Sequence, residues 1–196
     1  MISILDYGMG NLRSVQNALA RLGAPSRLVD DLDGVDKLIL PGVGAFGAAM
    51  ERLAPFRDAI RAYASSGKPL LGICLGQQLL FERSEEMGDH EGLGLLRGSV
   101  RYFPPDLGLK VPHIGWNEAV FRPDSRLGKG VLPGDQVYFV HSLVTVCEDV
   151  EDQAATTEYG IRFASAVERG NVWGTQFHPE KSGEVGMRIL RNFVEA

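Results

Sequence analysis

The chain has 196 residues, suited to one domain spanning residues 1–196, and 44% of them are apolar, enough for a substantial core without disulfides. A formal net charge of −5 with no Lys/Arg block gives no support to nucleic-acid binding. The two cysteines, Cys74 and Cys147, form no C-x-x-C pair, which argues against a disulfide framework and a zinc site. No apolar run reaches the roughly 20 residues that span a bilayer. MISILDYG carries no basic segment ahead of its apolar residues and does not read as a signal peptide, so a cytoplasmic location with no membrane contact is expected.

In chain order, Met1–Asp6 reads as a buried strand, followed by a glycine-rich turn over residues 7–11. Leu12–Leu22 places Val15, Leu19 and Leu22 at helical spacing, and Gly23 ends it. Pro25–Val29 is a second strand. Lys37–Leu40 is a third, cut off by Pro41, and Pro41–Gly47 (PGVGAFG) is again glycine-rich. Ala48–Leu53 and Phe56–Ala64 read as helices separated by Pro55. Pro69–Leu71 is apolar, Gly72–Gly76 turns sharply, and Gln77–Phe81 has helix-forming composition. Strands alternating with helices predict a parallel sheet covered on both faces. The glycine-rich loops at 8–10, 42–47 and 72–76 all follow strands, so they converge on the carboxyl edge, where such sheets carry their chemistry.

The second half reads as Gly98–Phe103, Lys110–Ile114, Asn117–Phe121, Gln136–Val146, Ala154–Glu158, Phe163–Glu168 and Val172–Phe177, strand-like segments forming an antiparallel extension. Glu184–Val194 closes the chain as a helix, with Val185, Ile189 and Phe193 four residues apart. The fold class expected is α/β, with a mainly parallel central sheet flanked by helices.

Strand, tight turn and helix around Gly72-Ile73-Cys74-Leu75-Gly76 is the layout of a nucleophile elbow with Cys in place of Ser. Glycines flanking the apex let strand and helix pack closely, and a helix N-terminus favours a thiolate. A buried cysteine ending a core strand fits the same five residues. A cysteine nucleophile needs a base and that base an orienting group. Of four histidines, His178 follows an apolar strand and has Glu180 two residues on, with Pro179 stiffening the bend. A surface H-P-E turn fits that composition equally. The amide of Leu75, after the nucleophile, and the Val43–Gly44 peptide offer oxyanion donors; an ordinary turn after a strand is the alternative for the latter.

GICLGQQ, FHPE and PGVG together resemble the class I glutamine amidotransferases of the Cys-His-Glu type. Within that class, DYGMGNL, PGVGAFG, PHIGWN, YFVHS and HPEKSG resemble the glutaminase-subunit family of imidazole glycerol phosphate synthase, from residue 2 to about residue 193. The resemblance implies a flavodoxin-like fold and glutamine hydrolysis through a thioester on Cys74, with His178 as acid/base and Glu180 as its orienter. It implies that Gln78, Ser142 and Leu143 contact the substrate glutamine, the latter two through their backbone. The family usually has Tyr where Leu143 stands, so no tyrosine hydroxyl acts here; Gln77, where Met is common, is a second departure. It further implies that Asn11, Trp116 and Lys181 face a separate cyclase subunit, a (β/α)8 barrel in a heterodimer, which uses the ammonia to form imidazole glycerol phosphate in histidine biosynthesis. No metal or organic cofactor is implied. The alternatives are a glutaminase subunit of another amidotransferase and a non-catalytic binding subunit.

Overall fold

The computed structural model describes residues 1–106 and 108–196. The elements follow as β1 (Ile2–Leu5), α1 (Leu12–Arg21), β2 (Ser26–Val29), β3 (Lys37–Gly42), α2 (Phe46–Leu53), α3 (Arg57–Ser65), β4 (Leu70–Cys74) and α4 (Leu75–Leu79). Then come β5 (Phe81–Ser84), β6 (His90–Glu91), β7 (Leu96–Tyr102), β8 (His113–Glu118), β9 (Val120–Phe121), β10 (Gln136–His141) and β11 (Leu143–Cys147). The chain ends with β12 (Gln153–Tyr159), β13 (Ile161–Arg169), β14 (Val172–Thr175) and α5 (Gly183–Glu195).

Among the described residues the main sheet has 12 strands, and its parallel portion runs β2-β1-β3-β4-β14. Alternation along the strands divides the core into two layers. Ile2, Ile4, Ile39, Leu71 and Ile73 face the layer closed by Val15 and Leu19 of α1 and by Ile189 and Phe193 of α5. Leu5, Leu38, Leu40 and Leu70 face the other, closed by Phe46 and Leu53 of α2 and Ile60 of α3. Strands buried on both faces read as unbroken apolar runs, which is why β1 and β4 stood out in the sequence. The first turn of α1 is capped by the Asn11 side chain, which accepts from the Ser14 amide at 3.3 Å.

Beyond β14 the sheet turns antiparallel through β13 and β11 to β7, then β5 adds parallel to β7. The α/β class with a mainly parallel centre and an antiparallel extension is what forms, with five local corrections. Pro41 does not cut off β3: the strand runs on to Gly42, pairing Pro41 with Ile73 and Gly42 with Cys74. The opposite neighbour, β1, ends its pairing at Ile39, so the missing N–H of Pro41 faces no strand. Val172–Thr175 belongs to the parallel centre, not the extension, because it lies beside β4. Gln136–Val146 is two strands in two sheets, divided at Ser142. Lys110–Ile114 and Asn117–Phe121 redistribute into β8, which pairs with β10 in a separate two-stranded sheet, and β9. Phe81 begins β5 rather than ending a helix, and α4 is a single short turn.

Candidate active site

The register of the parallel centre assembles the site. Gly42 lies opposite Cys74, and Thr175 lies opposite Ile73. The loop after β3, the turn after β4 and the segment after β14 therefore leave the carboxyl edge side by side. This adjacency brings His178 to Cys74 from far along the chain. The loop over residues 7–11 joins them, since Met9 Cε would stand 2.9 Å from a Cβ on Gly44.

Cys74 has φ 56 and ψ −112, a conformation that L side chains rarely adopt. The packing around it explains why this turn is held. A Cβ on Gly76 would stand 1.9 Å from the Leu40 carbonyl oxygen, and one on Gly72 2.5 Å from the Gly76 carbonyl oxygen. Only glycine lets the turn sit this close to β3 and β4. The Cys74 side chain lines a cavity of about 360 Å³ together with His178, Leu75 and Gln78. The cysteine reading of the elbow as a mere strand end is thereby replaced by a thiol that faces an open cavity, though only 9% exposed.

His178 and Glu180 are both buried, and His178 Nδ1 lies 2.8 Å from Glu180 Oε1. A carboxylate accepts, so Nδ1 carries the proton toward Glu180 and Nε2 is the atom left for the cavity. The turn bearing them is no loose surface loop. The His178 amide donates to the Tyr138 carbonyl at 3.0 Å, and the Tyr138 amide donates to Ser182 Oγ at 3.0 Å. Ser182 Oγ in turn donates to the His178 carbonyl at 2.6 Å. Burial opposes an imidazolium at His178, but the Cys74 sulfur and the Glu180 carboxylate outweigh it and raise its pKa to about 9. The Gln176 amide also reaches the thiol, its Nε2 donating to Sγ at 3.9 Å.

Val43 and Gly44 line the cavity on one side, and Leu75, whose amide opens α4, lines it at the elbow. Gly44 has φ +101. The Tyr7 hydroxyl donates to the Pro41 carbonyl at 2.8 Å, anchoring the start of this loop. Burial pushes the Tyr7 hydroxyl's pKa up, with Cys74 adding to it, so it stays a proton donor. Ser142 and Leu143 also line it, at the break between β10 and β11. Every residue expected from the sequence at the elbow, base, oxyanion donors and glutamine site thus borders one cavity or supports it. Asn11, Trp116 and Lys181 do not touch the cavity; all three are exposed. α1, which Asn11 caps, packs against the Pro179–Lys181 turn, and so does β10, where Tyr138 pairs with Trp116.

Three participants escaped the sequence reading. Glu86 lines the cavity and its carboxylate accepts from the Phe46 amide at 2.5 Å, capping α2 from a distant segment. Nothing in its acidic, polar surroundings marked it. Gln176, fully buried, orients its amide by accepting from Gln78 Nε2 at 2.9 Å. Its place two residues before His178 on the same strand exit was a usable signal. His141 also lines the wall. Cys147 is buried elsewhere, its thiol pushed up to about 12 by burial and by Asp152 and Asp149, which keeps it protonated and inert.

Residues 3–196 match the family model described as glutamine amidotransferase class-I. The chain is 50% identical over 203 residues to imidazole glycerol phosphate synthase subunit HisH of Syntrophotalea carbinolica, covering 98% of each chain. It is also 50% identical to the subunit of that name from Aquifex aeolicus, covering 97% of this chain and 94% of the other. The HisH subunit of Methanosarcina barkeri is 50% identical, with 99% and 98% covered. The fold is similar to that of a solved glutamine amidotransferase, with a TM-score of 0.77 at 21% identity and 99% and 97% of the two chains covered. PurLQS of Thermotoga maritima gives the same TM-score of 0.77 at 21% identity, with 99% and 97% covered. The chain belongs to the class I glutamine amidotransferases, in the family of the HisH subunits of imidazole glycerol phosphate synthase.

Proposed function

We propose that Cys74, His178 and Glu180 hydrolyse glutamine to glutamate and ammonia, and that the ammonia passes to a (β/α)8 cyclase subunit bound as a heterodimer. Residues 1–196 act as one domain, in the cytoplasm; no described helix is long and apolar enough to cross a membrane. The observation that carries this reading is a thiol on a strained turn sharing a cavity with a histidine whose far nitrogen is fixed by a buried carboxylate.

The Cys74 thiolate attacks the side-chain amide carbon of glutamine. The oxyanion that develops is met by the Leu75 amide and the Val43–Gly44 peptide. The tetrahedral species collapses as His178 Nε2–H gives its proton to the leaving nitrogen, so ammonia departs and a thioester remains on Cys74. His178, now neutral, takes a proton from water, which attacks the thioester and releases glutamate. Thiolate and imidazolium are regenerated. Glu180 keeps Nδ1 protonated and the ring in place throughout.

The cavity suits a substrate of this size. Gln78 lies near the elbow. Glu86 is the acidic side chain on the lining and complements an α-ammonium group, while the backbone at Ser142 and Leu143 offers polar atoms for the rest of the amino-acid end. Leu143 supplies no hydroxyl, so these contacts are backbone contacts. Asn11, Trp116 and Lys181 form the face for the cyclase, directly behind the turn that bears His178. Ammonia is a nucleophile only while unprotonated, which is the physical reason for a closed passage between the subunits.

The test is to mix the chain with glutamine and with its cyclase subunit, and follow glutamate and ammonia. Mass spectrometry of the denatured chain should find a glutamyl adduct on Cys74 during turnover. Glutamate formation with Cys74 replaced by Ala would overturn the assignment.

A further inference from the structure

Beside the cavity, two buried histidines form a chain that the mechanism does not use. His141 Nδ1 lies 2.7 Å from the Leu143 carbonyl oxygen, and His141 Nε2 lies 2.9 Å from His113 Nδ1. His113 Nε2 is 3.4 Å from Asn117 Nδ2. The proton positions follow by elimination. A carbonyl oxygen only accepts, so His141 Nδ1 carries a hydrogen. Neutral His141 then accepts at Nε2, so His113 donates from Nδ1. Neutral His113 accepts at Nε2, and the Asn117 amide supplies that donor. Asn117 is itself oriented by donating to the Glu158 carbonyl at 3.0 Å and accepting from the Glu118 amide at 2.8 Å.

Neutrality is independently favoured. Burial lowers the pKa of His113 to about 4 and that of His141 to about 3, the latter with added repulsion from His113 and His178. The His113 ring is stacked between Phe139 and Tyr159, with centroids 4.7 and 4.0 Å away. It cannot turn over without disturbing both.

The chain ends at a mechanically sensitive place. His141 is the last residue of β10 and Leu143 the first of β11, and these strands lie in different sheets. The ring-to-carbonyl bond closes that break across Ser142. It engages the carbonyl of Leu143, which with Ser142 borders the cavity.

We propose that His113 is a positioning residue for glutamine binding: by donating to His141 it locks the tautomer that pins the Leu143 carbonyl and sets the Ser142–Leu143 wall of the cavity. This rests on reading that wall as the seat of glutamine's amino-acid end. With the donor removed, His141 is free to take the other tautomer, and the wall loses its clamp. Bond-making at Cys74 is untouched, so the effect falls on KM rather than kcat.

Two variants separate donor from ring. His113→Phe keeps the stack and loses the donor; His113→Asn loses the stack and keeps an N–H at the short end of the side chain. With the cyclase subunit present, His113→Phe should raise KM for glutamine about 10-fold with kcat changed less than about 3-fold, and His113→Asn should recover most of the loss. An unchanged KM in His113→Phe, or equal damage in both variants, would overturn the proposal. Nitrogen-15 spectra of the histidine rings in the full chain give a readout independent of turnover. Both His113 and His141 should be protonated at Nδ1 alone and stay neutral down to about pH 5.5. Protonation at Nε2 of either ring at neutral pH would refute it. Absence of glutamine turnover in the unmodified complex would instead refute the glutaminase reading, and the ring spectra would still judge the histidine pair.

Discussion

His178 Nδ1 and Glu180 Oε1 stand 2.8 Å apart with both side chains almost wholly buried, so the base and its orienter form one rigid unit three residues long. Glu180 Oε2 has no hydrogen-bonding partner among the described residues, which concentrates the carboxylate's interaction on the imidazole. Removing Cys74 or His178 by alanine should each lower glutamine turnover on the order of 1,000-fold or more, with the double variant little worse than either. Glu180→Gln should retain more activity, because it disturbs orientation without removing the proton carrier. Steady-state glutamate release from the complex checks all four proteins; a double variant far below both single ones would break the shared mechanism.

The raised pKa of His178 makes a stability prediction with a definite sign. Its folded-state value, about 9, lies above the ordinary value of 6.5, so the folded chain holds the proton more tightly than the unfolded one. The stabilisation is complete below about pH 6.5 and is lost as pH rises through about 9. The His178 ring resonance should titrate near the upper limit, and the midpoint should fall in Cys74→Ala and in Glu180→Gln, each of which removes one cause of the shift. Melting temperatures of the unmodified chain should decline from pH 6.5 to 9 more steeply than those of His178→Ala.

Much of this arrangement was legible in the sequence because it follows from local chemistry. Glycine at 72 and 76 declares a turn too tight for a Cβ, and the apolar runs of β1 and β4 declare strands buried on both faces. The pairing partners were not legible. Gln136–Val146 has one continuous strand-like composition, and its division at Ser142 follows from partners far along the chain, β10 pairing with β8 and β11 with β7 and β13. Glu86 acquires its role only where β5 brings it across to the start of α2. Pro41 read as a terminator because proline lacks an N–H, but whether that matters depends on which neighbour is present at that height of the sheet.

The elbow's close packing predicts an unusual sensitivity at a small residue. Gly76→Ala would place a methyl group 1.9 Å from the Leu40 carbonyl oxygen, a backbone atom that cannot move without dragging β3. The cost should be at least about 3 kcal/mol, seen as a large drop in melting temperature or in soluble yield. Gly23→Ala serves as a comparison, since nothing lies within 4 Å of its added methyl group, and its cost should reflect only the positive φ. Equal destabilisation by the two substitutions would show that contact at the elbow does not matter.

Cys147 offers a control for reactivity. Its thiol is pushed up to about 12, so it should resist alkylation at neutral pH while Cys74 reacts. Peptide mapping after brief treatment with iodoacetamide should find the label on Cys74, and Cys147→Ala should leave glutamine turnover within about 3-fold of the unmodified complex. Label on Cys147 first, or loss of turnover in that variant, would assign the nucleophile wrongly.

The remaining prediction concerns the Val43–Gly44 peptide and the partner. This loop is anchored at its start by Tyr7 on the Pro41 carbonyl and at its end by Glu86 on the Phe46 amide, while Val43 and Gly44 between them are exposed. A segment fixed at both ends and free in the middle can reorient its central peptide, and glycine makes that cheap. One orientation offers an N–H to the oxyanion; the opposite one offers a carbonyl, which repels it. The chain alone should hold mainly the second, and a ligand-loaded cyclase subunit should favour the first by the difference in its affinity for the two states. Turnover of the chain alone, with empty partner and with ligand-loaded partner should rise by orders of magnitude at the last addition. Gly44→Val should blunt that rise more than it weakens assembly. Its backbone stands at φ +101 and its Cβ would meet Met9 Cε at 2.9 Å, so the substitution restricts the loop without reaching Asn11, Trp116 or Lys181. Full turnover by the isolated chain would sink the idea, because no unproductive state would then remain for the partner to relieve.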